Sequence, residues 1–168
     1  MTIAVAAALV CSCTSGGRSD PSDAMERSGA AFLAPEDAER LAAVTPHTVY
    51  VPVYSHIYHQ EDRVFDLTAT LSIRNTDEQN RVIIHSVRYF DTAGHLVRSY
   101  AAKPLALPAM ATLEYVVGEG DTAGGSGANF VVEWSADEGV SEPVIEAVMI
   151  GTRGQQGLSF LSVGKTVR

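Results

Sequence analysis

The clearest pattern in this chain is an alternation of apolar and polar residues with a period of two. It is cleanest in Asp66–Arg74, where every second side chain from Leu67 to Ile73 is apolar and hydroxyl residues stand between them. Successive side chains of a strand point to opposite faces of a sheet, so this stretch predicts a strand with one buried face and one wet face.

Seven further stretches have the composition or the alternation of strands, and turn-forming residues separate them. Pro52 lies inside the first of these stretches and cannot donate to a ladder, so that stretch is predicted to be an edge strand or to carry a bulge. The seven stretches are His47–Tyr58, Val82–Phe90, His95–Tyr100, Ala111–Val117, Asn129–Ser135, Pro143–Ile150 and Leu158–Val163.

Eight short strands and the absence of a convincing helix among them predict an all-β domain over residues 47–168. The architecture expected is an antiparallel β-sandwich of immunoglobulin-like type, and a small closed β-barrel is the alternative.

A glycine-rich segment that runs into a strand, Gly124–Ala136, is the stretch around which we expect the other strands to pack. Its strand carries Trp134, the only tryptophan in the chain, on the same face as Phe130. We therefore predict that Trp134 bridges the two sheets of the core.

Two glycine-containing loops are candidate ligand or partner loops. A turn that requires positive φ explains the first loop better than a phosphate site, because neither a Walker lysine nor the GxGxxG spacing is present. The candidate loop residues are Gly124, Gly125, Ser126, Gly127 and Asn129, together with Gln155 and Gln156 of the second loop.

The N-terminal residues 1–12 predict a signal peptide. The apolar run Ile3–Val10 would span only about 12 Å as a helix, which is too short to cross a bilayer. The residues Val10-Cys11-Ser12-Cys13 resemble the bacterial lipobox. This resemblance implies that Cys13 is lipidated and that cleavage occurs just before it. The alternative is an N-terminal strand or helix that belongs to the fold.

Residues 13–46 are predicted to be a flexible tether, because Thr14–Gly29 is rich in Ser, Gly, Asp and Pro. A short helix over Pro35–Val44 is expected within it. The tether and anchor together predict an exported lipoprotein held on a membrane in the periplasm or cell envelope. Thr14 after the cysteine resembles lipoproteins that diderm bacteria send to the outer membrane.

The charge balance excludes one class of partner. The 168-residue chain has a net charge of −8 and no cluster of Lys or Arg, so we do not expect it to bind nucleic acid. Its two cysteines, Cys11 and Cys13, both lie in the N-terminal segment. Disulfides and thiolate metal sites are therefore excluded from the domain, and no cofactor is predicted.

One cluster has the composition of a metal site. His56 and His59 precede Glu61 and Asp62, and imidazole with carboxylate ligands would suit Zn or Cu(II). Residues three apart on a strand point to opposite faces, so chelation would need a turn here. The alternative is a polar strand end that enters a loop.

Several segments, in order, resemble the bacterial family called domain of unknown function 3124. They are VYVPVYSHIYH, LTATLSIRNTD, SVRYFDTAGHLVR, GGSGANFVVEW and VMIGTRGQQGLSF, and the resemblance covers residues 47–163. It implies a small exported bacterial protein, often a lipoprotein, with no assigned activity and no catalytic residues to transfer.

The sequence as a whole predicts a lipid-anchored envelope protein that displays a non-catalytic binding or structural module, with an envelope protein as a possible partner. Catalysis needs titratable groups that converge, and here they are scattered along the chain. The alternatives are a periplasmic metal-binding protein that uses His56 and His59, or a hydrolase with an unrecognised site.

Overall fold

The computed structural model describes residues 21–34, 37, 45–61, 63–153 and 155–168. The predicted signal peptide, Cys13 and the first part of the tether lie outside these residues. The helix predicted over Pro35–Val44 also lies outside them, apart from Asp37.

One helix and thirteen strands make up the described residues. The helix α1 is Pro21–Ser28. The strands are β1 (Ala31–Phe32), β2 (His47–Pro52), β3 (His56–Gln60), β4 (Arg63–Asp66), β5 (Thr68–Arg74), β6 (Val82–Phe90), β7 (Leu96–Ala101), β8 (Leu105–Leu107), β9 (Thr112–Val117), β10 (Asn129–Ser135), β11 (Val144–Arg153), β12 (Gln156–Val163) and β13 (Lys165–Thr166).

The strands form two main antiparallel sheets and one separate hairpin. The larger sheet has the order β1-β8-β6-β10-β2-β13, and β7 pairs with β6 beside β8. The smaller sheet has the order β12-β11-β5-β9, and β3 pairs with β4 alone. The predicted all-β sandwich is confirmed, and none of the sheets in the described part of the chain closes into the alternative barrel.

The predicted alternation of β5 is confirmed on its apolar face, but its opposite face is not wet as predicted, because Thr68 and Thr70 are half-buried and Ser72 is 2% exposed. Leu67, Ala69, Leu71 and Ile73 are fully buried, and they face the interior together with apolar residues of the opposite sheet. Trp134 of β10 is 5% exposed and belongs to the same core, with its ring stacked on His47 at a centroid distance of 4.7 Å. The prediction that Trp134 is a core residue is therefore confirmed.

A helix lies where the sequence predicted only a flexible tether. In α1, Ala24 is buried, Met25 packs against the core, and the helix contacts β9. Proline in the first turn and Gly29 at φ 66° just after the last residue are favourable helix ends. The composition of this helix is mostly polar and did not indicate it. Burial of one small apolar face stabilises it.

The stretch predicted as one strand over His47–Tyr58 is two strands. β2 ends at Pro52, which has no N–H for the ladder, and the chain then leaves the larger sheet to form the β3–β4 hairpin. β2 is not an edge strand, because the two-residue β13 pairs with it on the side away from β10.

The β11–β12 hairpin projects beyond the rest of its sheet. β5 pairs with β11 only from Val144 to Ile150, and residues Gly151–Arg153 pair with β12 alone.

No helix among the described residues has the length and apolar character needed to cross a bilayer.

Candidate functional site

The projecting tip of the β11–β12 hairpin and the separate β3–β4 hairpin face each other across a cleft of about 990 Å³. We call it the two-hairpin cleft. One wall comes from β3 and β4, and the other from β11 and β12. Its lining residues are Ile57, Tyr58, His59, Arg63, Val64, Phe65, Arg153, Gln156, Gly157 and Leu158.

The two hairpins meet at Gly151. A Cβ atom built there would collide with the ring of Phe65 and would lie 2.7 Å from the backbone oxygen of Asp66. Only glycine lets the hairpins approach this closely, which is why a glycine stands in the middle of β11. A second contact, between the rings of Tyr54 and Phe160 at 5.7 Å, also joins β12 to the segment before β3.

The register shows which side chains of β11 and β12 face the cleft. Gly151 pairs with Leu158 and Arg153 pairs with Gln156. Paired residues of an antiparallel ladder share a face, so all four lie on the face that meets Phe65. Leu161 is an odd number of residues from Leu158 and therefore lies on the opposite face of β12.

The walls combine apolar and cationic side chains. Tyr58 is 66% exposed and Leu158 is 38% exposed, although both are large and apolar enough to belong in a core. Arg63 and Arg153 line the same cleft and make no ion pair with any described residue. Such walls can hold an apolar group and an anionic group at once.

A smaller cleft of about 140 Å³ adjoins the two-hairpin cleft and shares Val64, Phe65 and Arg153 with it. Its remaining lining residues are Asp66, Glu119 and Thr152. Two acidic residues therefore lie beside Arg153 in the small cleft.

The two histidines of the predicted metal site have different surroundings. His59 lines the two-hairpin cleft, whereas the ring of His56 lies edge-on to Tyr58 at 5.7 Å. Within the described residues, no three His, Cys, Asp or Glu side chains are grouped as a metal site, and the predicted ligand Asp62 lies outside them.

The first predicted loop joins neighbouring segments of the fold. The carbonyl of Gly124 accepts from the backbone and the hydroxyl of Thr92, and that hydroxyl accepts from Gly127 N–H. The Gly125 carbonyl accepts from the backbone and the hydroxyl of Ser55, and Gly125 has the predicted positive φ, at 76°. These bonds tie the loop to the β6–β7 turn and to the chain before β3.

The other candidate loop residues divide between the core and the cleft. Asn129 is nearly buried in β10, whereas Gln156 lines the two-hairpin cleft and Gln155 lies exposed in the turn beside it. Ser126 and its glycine neighbours do not line this cleft. Of the predicted site residues that the structure describes, only His59 and Gln156 line the two-hairpin cleft.

A histidine and a serine lie together on the larger sheet. His85 Nε2 is 2.7 Å from Ser135 Oγ, and Ser135 is 2% exposed. Burial lowers the pKa of His85, while the nearby carboxylate of Glu133 acts in the opposite direction. The hydrogen bond to Ser135 Oγ therefore satisfies one ring nitrogen of His85 within the sheet.

Together the fold and the cleft define a class of protein: an antiparallel β-sandwich whose β11–β12 hairpin extends beyond its sheet and faces the separate β3–β4 hairpin. The chain belongs to the family described as "Protein of unknown function (DUF3124)", whose model matches residues 46–167. No curated protein sequence matches the chain.

One solved structure is similar in outline. It is the crystal structure of Thermotoga maritima 1070, with a TM-score of 0.47 and 10% sequence identity, covering 71% of this chain and 92% of that chain. A likeness at this level says nothing about what either protein binds.

Proposed function

We propose that this protein is an exported lipoprotein whose β-sandwich displays a non-catalytic binding site, the two-hairpin cleft, at a membrane of the cell envelope. In this proposal Cys13 carries the lipid, the residues after it are the tether, and the membrane is the outer one in a diderm bacterium.

The observation that carries the proposal is the cleft itself. A cleft of about 990 Å³ is at the upper end of the size of ligand pockets, and exposed Tyr58 and Leu158 contribute apolar surface to a lining that is about half polar. Apolar side chains left this exposed cost solvation free energy unless something covers them. The cleft also lies outside the sandwich core, so it is not needed to complete the fold.

The lipid anchor is supported by the sequence around Cys13. Seven residues separate this cysteine from the start of α1, and they span at most about 25 Å when fully extended. An anchor at Cys13 would therefore hold the sandwich close to the membrane.

The non-catalytic role is supported by the chemistry of the walls. Guanidinium groups are donors that stay protonated and bind anions, whereas acid–base catalysis needs groups that exchange protons. Among the described residues, His59 is the one imidazole in the lining, and no Asp or Glu lines the two-hairpin cleft beside it.

Photocrosslinking in the producing bacterium tests this proposal. A benzoyl-phenylalanine at position 158 faces the cleft, and the same residue at position 161 lies on the opposite face of β12 and is the matched control. We expect a light-dependent adduct with an envelope component at position 158 and none at position 161. Equal labelling at both positions, or none at either, would contradict a binding role for the cleft.

A further inference from the structure

We propose that the ligand of the two-hairpin cleft is an amphiphilic anion. Its carboxylate or phosphate group is held by Arg63 and Arg153, and its apolar part lies on Tyr58, Phe65 and Leu158. This inference rests on the proposed binding function of the cleft and adds the chemical class of the ligand.

The arginines of the described residues differ in whether a carboxylate pairs with them. Arg27 and Arg168 are also unpaired there, and Arg63 and Arg153 are the unpaired arginines that line the cleft. Four others each lie within 3.5 Å of a carboxylate: Arg74 with Glu146, Arg81 with Asp37, Arg88 with Glu133 and Arg98 with Asp121. Arg63 and Arg153 have no carboxylate partner among the described residues, although the chain carries 20 Asp and Glu against 12 Lys and Arg.

An unpaired guanidinium at a cleft retains its full set of donors. It presents five N–H groups in a planar fork that matches carboxylate and phosphate oxygens in a bidentate way. Two such groups on opposite walls, Arg63 on β4 and Arg153 on β11, can approach one anionic group from two sides. In a chain of net charge −8 this placement concentrates positive charge at one point.

The apolar lining indicates the chemical character of the rest of the ligand. Ile57, Phe65 and Leu158 line the cleft beside the two arginines, and the Tyr58 ring adds a flat exposed surface. A simple inorganic anion would leave these side chains in water. An anion attached to an alkyl or aromatic group would cover them, and it would also fill more of the cleft.

The adjoining small cleft limits the shape of the ligand. Asp66 and Glu119 line the small cleft together with Arg153, so a second anionic group placed there would lie near two acidic residues. We therefore expect a ligand with one anionic group, whose extension towards Thr152 is neutral or cationic.

The test uses the full chain carrying Cys13→Ser, which has no acyl chain and needs no detergent to be soluble. The probes are 4-phenylbutyrate and its neutral analogue 4-phenylbutanol, measured by isothermal titration calorimetry. We expect saturable binding of the carboxylate and at least about tenfold weaker binding of the alcohol, because a hydrogen bond to a charged group contributes about 1.5 kcal/mol or more.

Three arginine variants give the matched comparison. Arg63→Gln and Arg153→Gln are each expected to weaken 4-phenylbutyrate binding about tenfold, and Arg74→Gln on the far face of the sheet leaves it unchanged. Equal affinity for the carboxylate and the alcohol, or unchanged affinity in both cleft variants, would overturn the proposal. A further outcome is crosslinking at position 158 in cells when calorimetry shows neither a preference for the carboxylate nor weaker binding in the cleft variants. That combination would make the cleft a binding site for a neutral ligand.

A vesicle assay identifies the source of the anion. Vesicles that contain an anionic phospholipid are mixed with the same protein and sedimented. Sedimentation that is lost in the two cleft variants supports a lipid headgroup, and binding of 4-phenylbutyrate without sedimentation supports a free organic anion. Sedimentation that is the same in wild-type and cleft-variant proteins would place lipid contact elsewhere and exclude the headgroup.

Discussion

Phe65 lies directly over Gly151, so that the β3–β4 hairpin touches β11 at a point where the chain has no side chain. This contact fixes how far apart the walls of the two-hairpin cleft can be. A second contact, between the rings of Tyr54 and Phe160, joins the segment before β3 to β12. A glycine in a strand thus determines the width of the candidate site.

Gly151→Ala tests this role of the glycine. The added methyl would collide with the Phe65 ring and with the backbone of Asp66, which cannot rotate away, so the hairpin must shift. Overpacking of this kind costs typically 1–3 kcal/mol in the free energy of unfolding, measured by urea titration.

Gly157→Ala is the matched control in the same hairpin. A Cβ there would meet only the Thr152 methyl at 4.0 Å, so we expect a change within about 0.5 kcal/mol. If the two variants have the same stability, the Phe65 contact does not hold the hairpins together.

The sequence predicted the core better than the cleft, and the reason is physical. Strands such as β5 and β9 carry a strong alternation because one face is buried, and β6 and β10 have the predicted ends. Strands β4 and β12 of the cleft have exposed or half-buried residues, so burial imposes no alternation on them. Gly151 inside β11 is the residue that signals a close approach, and the predicted strand ended one residue before it, at Ile150.

The missed site residues had no common motif. Arg63 stands 90 residues before Arg153 in the sequence, and it lines the same cleft as Arg153 and Leu158 only because β11 extends past β5. The length of that extension depends on tertiary packing, which the local pattern does not contain. His59 and Gln156 were identified as candidates from composition alone.

Trp134→Ala tests the core. The ring is 5% exposed and stacks on His47, so its loss should cost about 3–5 kcal/mol in unfolding free energy, followed by far-UV circular dichroism. Tyr58→Ala is the control, because Tyr58 is 66% exposed and its loss should change stability by less than about 1 kcal/mol. A small effect at Trp134 would mean that the ring does not bridge the sheets.

His85 should make stability depend on pH near neutrality. Its pKa in the folded protein is lowered below the ordinary value of 6.5 by burial, so folding favours the neutral ring. The stabilisation is fully present above pH 6.5 and is lost as the pH falls from there towards the folded pKa, because the unfolded chain binds the proton first.

His85→Gln keeps a polar group beside Ser135 but does not titrate. The melting temperature of this variant should fall less than that of the wild type between about pH 7.5 and pH 5.5. A wild-type slope in His85→Gln would assign the pH dependence to another group.

Cys13→Ser should release the protein from the membrane. Two acyl chains hold a protein stably, because each buried CH₂ contributes about 0.8 kcal/mol. Partitioning into a detergent phase and incorporation of a labelled fatty acid should both be lost in Cys13→Ser and retained in Cys11→Ser. A Cys13 variant that still takes up label would show that the anchor is elsewhere.

Native mass spectrometry of the full lipoprotein, released from membranes, tests the binding role of the two-hairpin cleft most directly. The wild-type protein should carry a bound molecule of defined mass. Leu158→Trp, which puts a larger side chain into the cleft, should lack it, and Leu161→Trp on the opposite face of β12 should retain it. The same adduct in all three proteins, or none in any, would contradict the account.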